Sequence, residues 1–204
     1  MHIERGGCRP QVDDSAWVAS TATLIGEVSV GPESRVLHGA VITADGGPVS
    51  IGNRCVVMEN AVLRGTPGRP LSVGDGVLVG PRAYLSGCTV EDEVFLATGS
   101  TVFNGAVIGR RAEIRVNGTV HLKTVLPENA LVPINWVAVG DPAKVLPPQR
   151  HEEIWAIQEP LDFPGEVFGV ERSEDMMVEI MDRYTRGLAR WRDDVIVEEE
   201  DQPL

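Results

Sequence analysis

The chain has 204 residues, 43% of them hydrophobic and 24% charged, with a formal net charge of −12 at pH 7. No stretch of eighteen apolar residues occurs, which excludes a membrane-spanning helix. No basic run offers the footprint of a nucleic-acid or anionic-membrane binder. The charge is unevenly placed: residues 1–150 hold 14 acidic and 13 basic side chains, while residues 151–204 hold 16 and 5.

Residues 1–11 lack the apolar core of a signal peptide and are predicted to be a leader that caps the fold or adds an edge strand. From Val12 onward a branched apolar residue returns every sixth position: Val12, Val18, Leu24, Val30, Val36 and Ile42. After a three-residue insertion come Ile51, Val57 and Leu63, and after a four-residue insertion Val73, Val79 and Leu85. One position is then skipped, and the series runs from Val90 to Val132 without a break. A second column, four residues after most of these, is small: Ala16, Ala22, Ala40, Cys55, Ala61, Ala83, Ser100, Ala106, Ala112.

A period of six matches neither a helix nor a two-residue strand alternation. It matches a short strand and a turn, repeated around a narrow three-sided prism. About three hexads then complete one coil, and coils pair as parallel strands roughly 4.8 Å apart. A single rung cannot bury its own apolar face, so stacking supplies the stability. The predicted fold is mostly β: a parallel β-helix of about six to seven coils over residues 12–133, with a C-terminal α-helix. A prism interior that admits Val and Ile but few rings agrees with the 5% aromatic content.

The insertions at Gly46-Gly47-Pro48 and Thr66-Pro67-Gly68-Arg69-Pro70 read as tight excursions at corners. Residues 134–172 are predicted to be a connector. It contains a short helix from His151 to Gln158, followed by an irregular stretch broken by Pro160, Pro164, Gly165 and Gly169. In residues 173–197 a helix is predicted, N-capped by Ser173, with Met177, Ile180, Met181, Tyr184, Leu188 and Trp191 at helical spacing. Residues 198–204 read as a disordered acidic tail. The three cysteines, Cys8, Cys55 and Cys88, show no pairing pattern and predict reduced thiols and a cytoplasmic setting.

Several segments carry a resemblance to a known family. They are Gly39-Ala40-Val41-Ile42 with Asp45, Asn60-Ala61-Val62-Leu63, Leu85-Ser86-Gly87-Cys88, and Val139-Gly140-Asp141-Pro142-Ala143-Lys144. Between about Val12 and Glu153 the chain resembles the gamma-class carbonic anhydrases, relatives of the hexapeptide-repeat acyltransferases. The resemblance implies a left-handed coil, and a homotrimer with sites between subunits.

It also implies a zinc ion on three histidines. The corresponding positions hold Arg64, Pro81 and Ser86. Arginine stays protonated, proline has no side-chain donor, and serine alone is a poor ligand, so no metal is expected there. Where the family carries the Arg of an Arg-x-Asp pair stands Thr43, with Asp45 kept. Where it carries the Gln of Gln-Asp-Asn stands Met58, followed by Glu59 and Asn60. His38 and His121 fall four coils apart, roughly 19 Å along the axis, too far to share one ion.

Thr43, Arg64, Ser86, Phe103 and His121 are predicted to stand in one outward column. Three functional readings follow. In the first, Arg64, Arg82 and Ser86, with Glu59 and Asp45, line an interface pocket for a small anionic ligand, arginine being suited to carboxylate and phosphate. Its structural counterpart has Arg64 sealed by Glu59 or a partner carboxylate. In the second, the chain is an acyltransferase that uses acetyl-CoA, with His121 as general base. In the third, it is a non-catalytic trimeric scaffold. No cofactor is expected outside the acyltransferase reading.

Overall fold

The computed structural model describes residues 1–197. Their strands are short, and most lie on three faces that wind around a common core. One face has eight parallel strands, from His2–Glu4 to Val137–Val139, with one antiparallel strand added at each end. The other two have seven strands each, from Gln11–Val12 to Val125–Leu126 and from Trp17–Val18 to Leu131–Val132. The fold is a left-handed parallel β-helix with C-terminal helices.

The hexads set the register. On the ten-stranded face Leu24, Ile42, Leu63, Leu85, Val102 and Val120 align rung on rung, and each is 0% exposed. Burying such a side chain is worth about 1.5–3 kcal/mol, so the inward column is the main source of stability. Both insertions leave the register intact, since Ile51 pairs with Val73 and Val73 with Val90 on the next face. The small residues sit buried beside them, and a polar one is paired. Ser34 Oγ donates to the Gly52 carbonyl at 2.8 Å and accepts from the Cys55 amide at 2.9 Å.

The prism has about eight turns, extending past the hexads at both ends. His2–Glu4, in the expected leader, already pairs in parallel with Thr23–Ile25. Val137–Val139, in the expected connector, continues the stack beyond Thr119–Val120.

Lys144–Leu146 then turns back on Val137–Val139. Helix α1 (His151–Gln158) forms where the sequence predicts it and buries Ile154 with Val139 and Leu146. Helix α2 (Phe163–Phe168) lies in the stretch expected to be irregular. Its proline and final glycine are compatible with a helix. Pro164 occupies the first turn, where a missing N–H costs nothing, and Gly169, at φ +66°, ends it.

Helix α3 (Met176–Leu188) follows Asp175, with no side-chain cap, so Ser173 is not the N-cap. Beyond it Val195–Val197 pairs antiparallel with His2–Glu4 and joins the C-terminal segment to the first rung. The acidic tail expected at 198–204 lies outside the described residues. Among those described, no helix is long and apolar enough to cross a membrane.

Candidate functional site

The register of the ten-stranded face brings the predicted column together. Thr43 pairs with Arg64, Arg64 with Ser86, and the same alignment continues one residue past each strand to Phe103 and His121. Side chains alternate across a strand. The inward set Ile42, Leu63 and Leu85 therefore forces Thr43, Arg64 and Ser86 outward, one rung apart.

Helices α2 and α3 lie over this column and form one side of a partly open cavity of about 550 Å³. Its lining includes Asp45, Arg64 and Ser86 from the face, and Phe163, Phe168 and Tyr184 from the helices. Thr66, Pro67 and Arg69 form another wall. The four-residue insertion is thus part of the site as well as a corner. All these residues belong to one protomer.

Arg64 is half-buried. Its Nη1 donates to Tyr184 Oη at 3.3 Å, and its buried Nε has no hydrogen-bond partner. Among the described residues neither it nor Arg183, which also lines the cavity and donates to the Gly169 carbonyl, forms an ion pair, whereas the other basic side chains around it do. Arg69 and Lys123 both pair with Glu166, and Arg190 pairs with Asp45 at 3.1 Å. Ser86 is 3% exposed, and its hydroxyl has no hydrogen bond among the described residues. Four arginines and two carboxylates line the cavity, so its lining is net cationic although the chain as a whole is acidic.

Rings form another wall. Phe103 and Phe163 meet at 5.8 Å, Phe163 and Phe168 at 6.1 Å, and Phe168 and Tyr184 at 5.7 Å, all near edge-to-face. The series ends at the Tyr184 hydroxyl on Arg64.

The other predicted residues lie elsewhere. Arg82 is exposed at φ +57° in a corner turn. Its amide donates to the Glu59 carbonyl at 3.0 Å, and Glu59 is also exposed. Neither lines the cavity, and neither pairs with Arg64. Pro81 stands on the same corner. His121 rests against Phe103 at 5.7 Å and Phe163 at 6.3 Å, off the cavity lining. Burial holds its pKa below the usual histidine value, and its buried Nδ1 has no hydrogen-bond partner.

Comparison with known proteins agrees with the fold. The chain is 33% identical over 151 residues to the mitochondrial gamma carbonic anhydrase 1 of Arabidopsis thaliana, covering 71% of this chain and 53% of that protein. It is 33% identical over 148 residues to a carbonic anhydrase of Geobacillus kaustophilus, covering 72% of this chain and 78% of the relative. This chain belongs to the gamma carbonic anhydrase family. It spans about half the length of the Arabidopsis relatives it matches. No family model matches it. Among solved structures, a candidate acetyltransferase of Bacillus cereus is 25% identical with a TM-score of 0.52, covering 87% of this chain and 94% of that one. A UDP-N-acetylglucosamine acyltransferase is 18% identical with a TM-score of 0.55, covering 88% of this chain and 79% of that one, and shares the fold.

The residues at the positions to which the resemblance assigns zinc ligands do not fit a zinc ion. Arg64 brings a cation, Pro81 no donor atom, and Ser86 a neutral hydroxyl. Among the described residues no three His, Cys, Asp or Glu side chains converge on a metal-sized site.

Nothing in the sequence assigns Tyr184, Phe163 and Phe168 to the site. Tyr184 appears in the sequence as one member of an amphipathic stripe. No periodicity connects residues 163–184 with Arg64 and Ser86.

Proposed function

We propose that this gamma carbonic anhydrase family member does not work through a zinc-bound water and instead binds a small anionic ligand in the cavity beneath α2 and α3. One observation carries the reading: Arg64 stands beside Ser86 on the cavity floor with no carboxylate partner. A half-buried guanidinium without a counter-ion is costly. A carboxylate or phosphate would satisfy it, and the Ser86 hydroxyl would donate to the same anion.

The loss of the family's chemistry rests on Arg64, Pro81 and Ser86 at the ligand positions. Metal analysis of purified protein, run beside a CO2-hydration assay, tests it. The expected result is substoichiometric zinc and background hydration. Stoichiometric zinc with activity overturns the proposal. For the ligand, Arg64→Gln is expected to weaken anion binding about ten- to a hundredfold, the range of a charge-assisted hydrogen bond.

The assembly in this proposal is a homotrimer. Trp17, Phe95 and Leu131 project from one seven-stranded face and are 44%, 38% and 49% exposed, in a column that also carries Val56 and Leu78 and is interrupted by Arg35 and Glu113; such exposed apolar side chains support contact with a second subunit. The acyltransferase reading has less support, because His121 is enclosed by Phe103 and Phe163 rather than presented to the cavity.

A further inference from the structure

The chain has four phenylalanines and two tyrosines. Five of these six, Phe103, Phe163, Phe168, Tyr84 and Tyr184, line the one cavity that holds Arg64 and Ser86. A prism core filled by Val, Leu and Ile has no use for rings, but that does not require them to gather at one outward site. Two of the five come from the face and three from helices about 60 to 100 residues further along the chain.

Their arrangement is directional. The edge-to-face series Phe103, Phe163, Phe168, Tyr184 runs along the wall and ends where Tyr184 Oη accepts from Arg64. An apolar ring wall leads to a cation with an unpartnered donor. The Ser86 hydroxyl, on a 97% buried residue, stands one rung from that cation and lacks a hydrogen bond among the described residues. The volume of about 550 Å³ lies within the usual range for small-molecule sites. It exceeds what an isolated bicarbonate or phosphate would fill.

Resting on the anion-binding reading above, we infer that the ligand is an aromatic carboxylate: a planar ring against the Phe103–Phe163–Phe168 wall, its carboxylate on Arg64 and Ser86. The two parts of the ligand answer two parts of the site. Aromatic pairs favour edge-to-face and offset geometries, which the existing series can extend by one ring. A guanidinium fork matches a carboxylate, and the neighbouring hydroxyl supplies one more donor.

Calorimetric titration of the 204-residue chain with phenylacetate, cyclohexylacetate, acetate, inorganic phosphate and the neutral phenylacetamide separates the parts. Phenylacetate is expected to bind about tenfold or more tighter than acetate, phosphate or cyclohexylacetate, and phenylacetamide about tenfold or more weaker than phenylacetate. Phe163→Leu is expected to erase the preference for phenylacetate over cyclohexylacetate. Ser86→Ala is expected to weaken every carboxylate alike. Melting curves of both variants report whether they fold. Acetate or phosphate binding as tightly as phenylacetate overturns the aromatic class and leaves the anion reading standing. Phenylacetamide matching phenylacetate, or no anion binding at all, overturns both.

Discussion

At the residue scale, the outward column Thr43, Arg64, Ser86, Phe103, His121 was legible because hexad arithmetic assigns each residue to a face and a rung. What that arithmetic leaves open is the environment of each residue. His121 shows the difference. Its rung and face follow from the repeat, but its surroundings of Phe103 and Phe163 come from the sheet and from α2 together. Burial favours the neutral imidazole, so the folded pKa lies below the unfolded one. The unfolded chain then takes up the proton first. The stabilising contribution is complete above the unfolded value of about 6.5 and is lost as pH falls through the depressed folded value. The melting temperature is expected to fall between pH 7 and pH 5, and His121→Phe to flatten that dependence, as read by thermal melts across the range. Gly87 is a second case. It adopts φ +48°, and a Cβ there would lie 2.8 Å from Thr66 Oγ1 and 2.9 Å from Arg69 Cβ. Gly87→Ala is expected to cost about 1–3 kcal/mol, measured by urea denaturation, since the turn forms beneath the cavity wall.

At the element scale, the deciding feature is how the C-terminal segment is fastened. Arg5 donates to Asp194 from Nε at 3.0 Å and from Nη2 at 2.6 Å. It also lies over the Trp191 ring at 4.2 Å and donates to Thr43 Oγ1 at 3.2 Å. Both charged side chains are largely buried, 12% and 17% exposed. Removing one partner of such a pair leaves an uncompensated charge. Asp194→Ala is therefore expected to destabilise by about 3–5 kcal/mol, and hydrogen exchange should show Val195–Val197 released from His2–Glu4. Because α3 carries Tyr184, the same variant is expected to weaken anion binding without touching the site. The sequence announced α3 through its apolar spacing and missed α2 and the last strand. Pro164 and Gly165 read as breakers when no tertiary contact is in view. Val195–Val197 is too short to signal a strand until the edge of His2–Glu4 is available to pair with it.

At the scale of the whole molecule, the apolar outward residues Trp17, Phe95 and Leu131 predict that the chain self-associates. Light scattering is expected to give three times the 22.0 kDa protomer mass, and Phe95→Arg to shift it toward the monomer. Because Arg64 is half-buried among the cavity lining rather than open to solvent, anion affinity is expected to fall with added salt more gently than for a fully exposed site. The sequence by itself determined the prism. A six-residue repeat is a local rule that fixes face, rung and inward direction together, and insertions at corners do not disturb it. The sequence also determined that Arg64, Pro81 and Ser86 offer no imidazole to a metal, because donor chemistry belongs to residue type. Only the tertiary structure decided that Arg64 faces a ring-lined cleft rather than a sealing carboxylate. That depended on where α2 and α3 come to rest, and their placement follows from contacts between residues far apart in the chain, such as Arg5 with Asp194, 189 positions on, which no short-range pattern encodes.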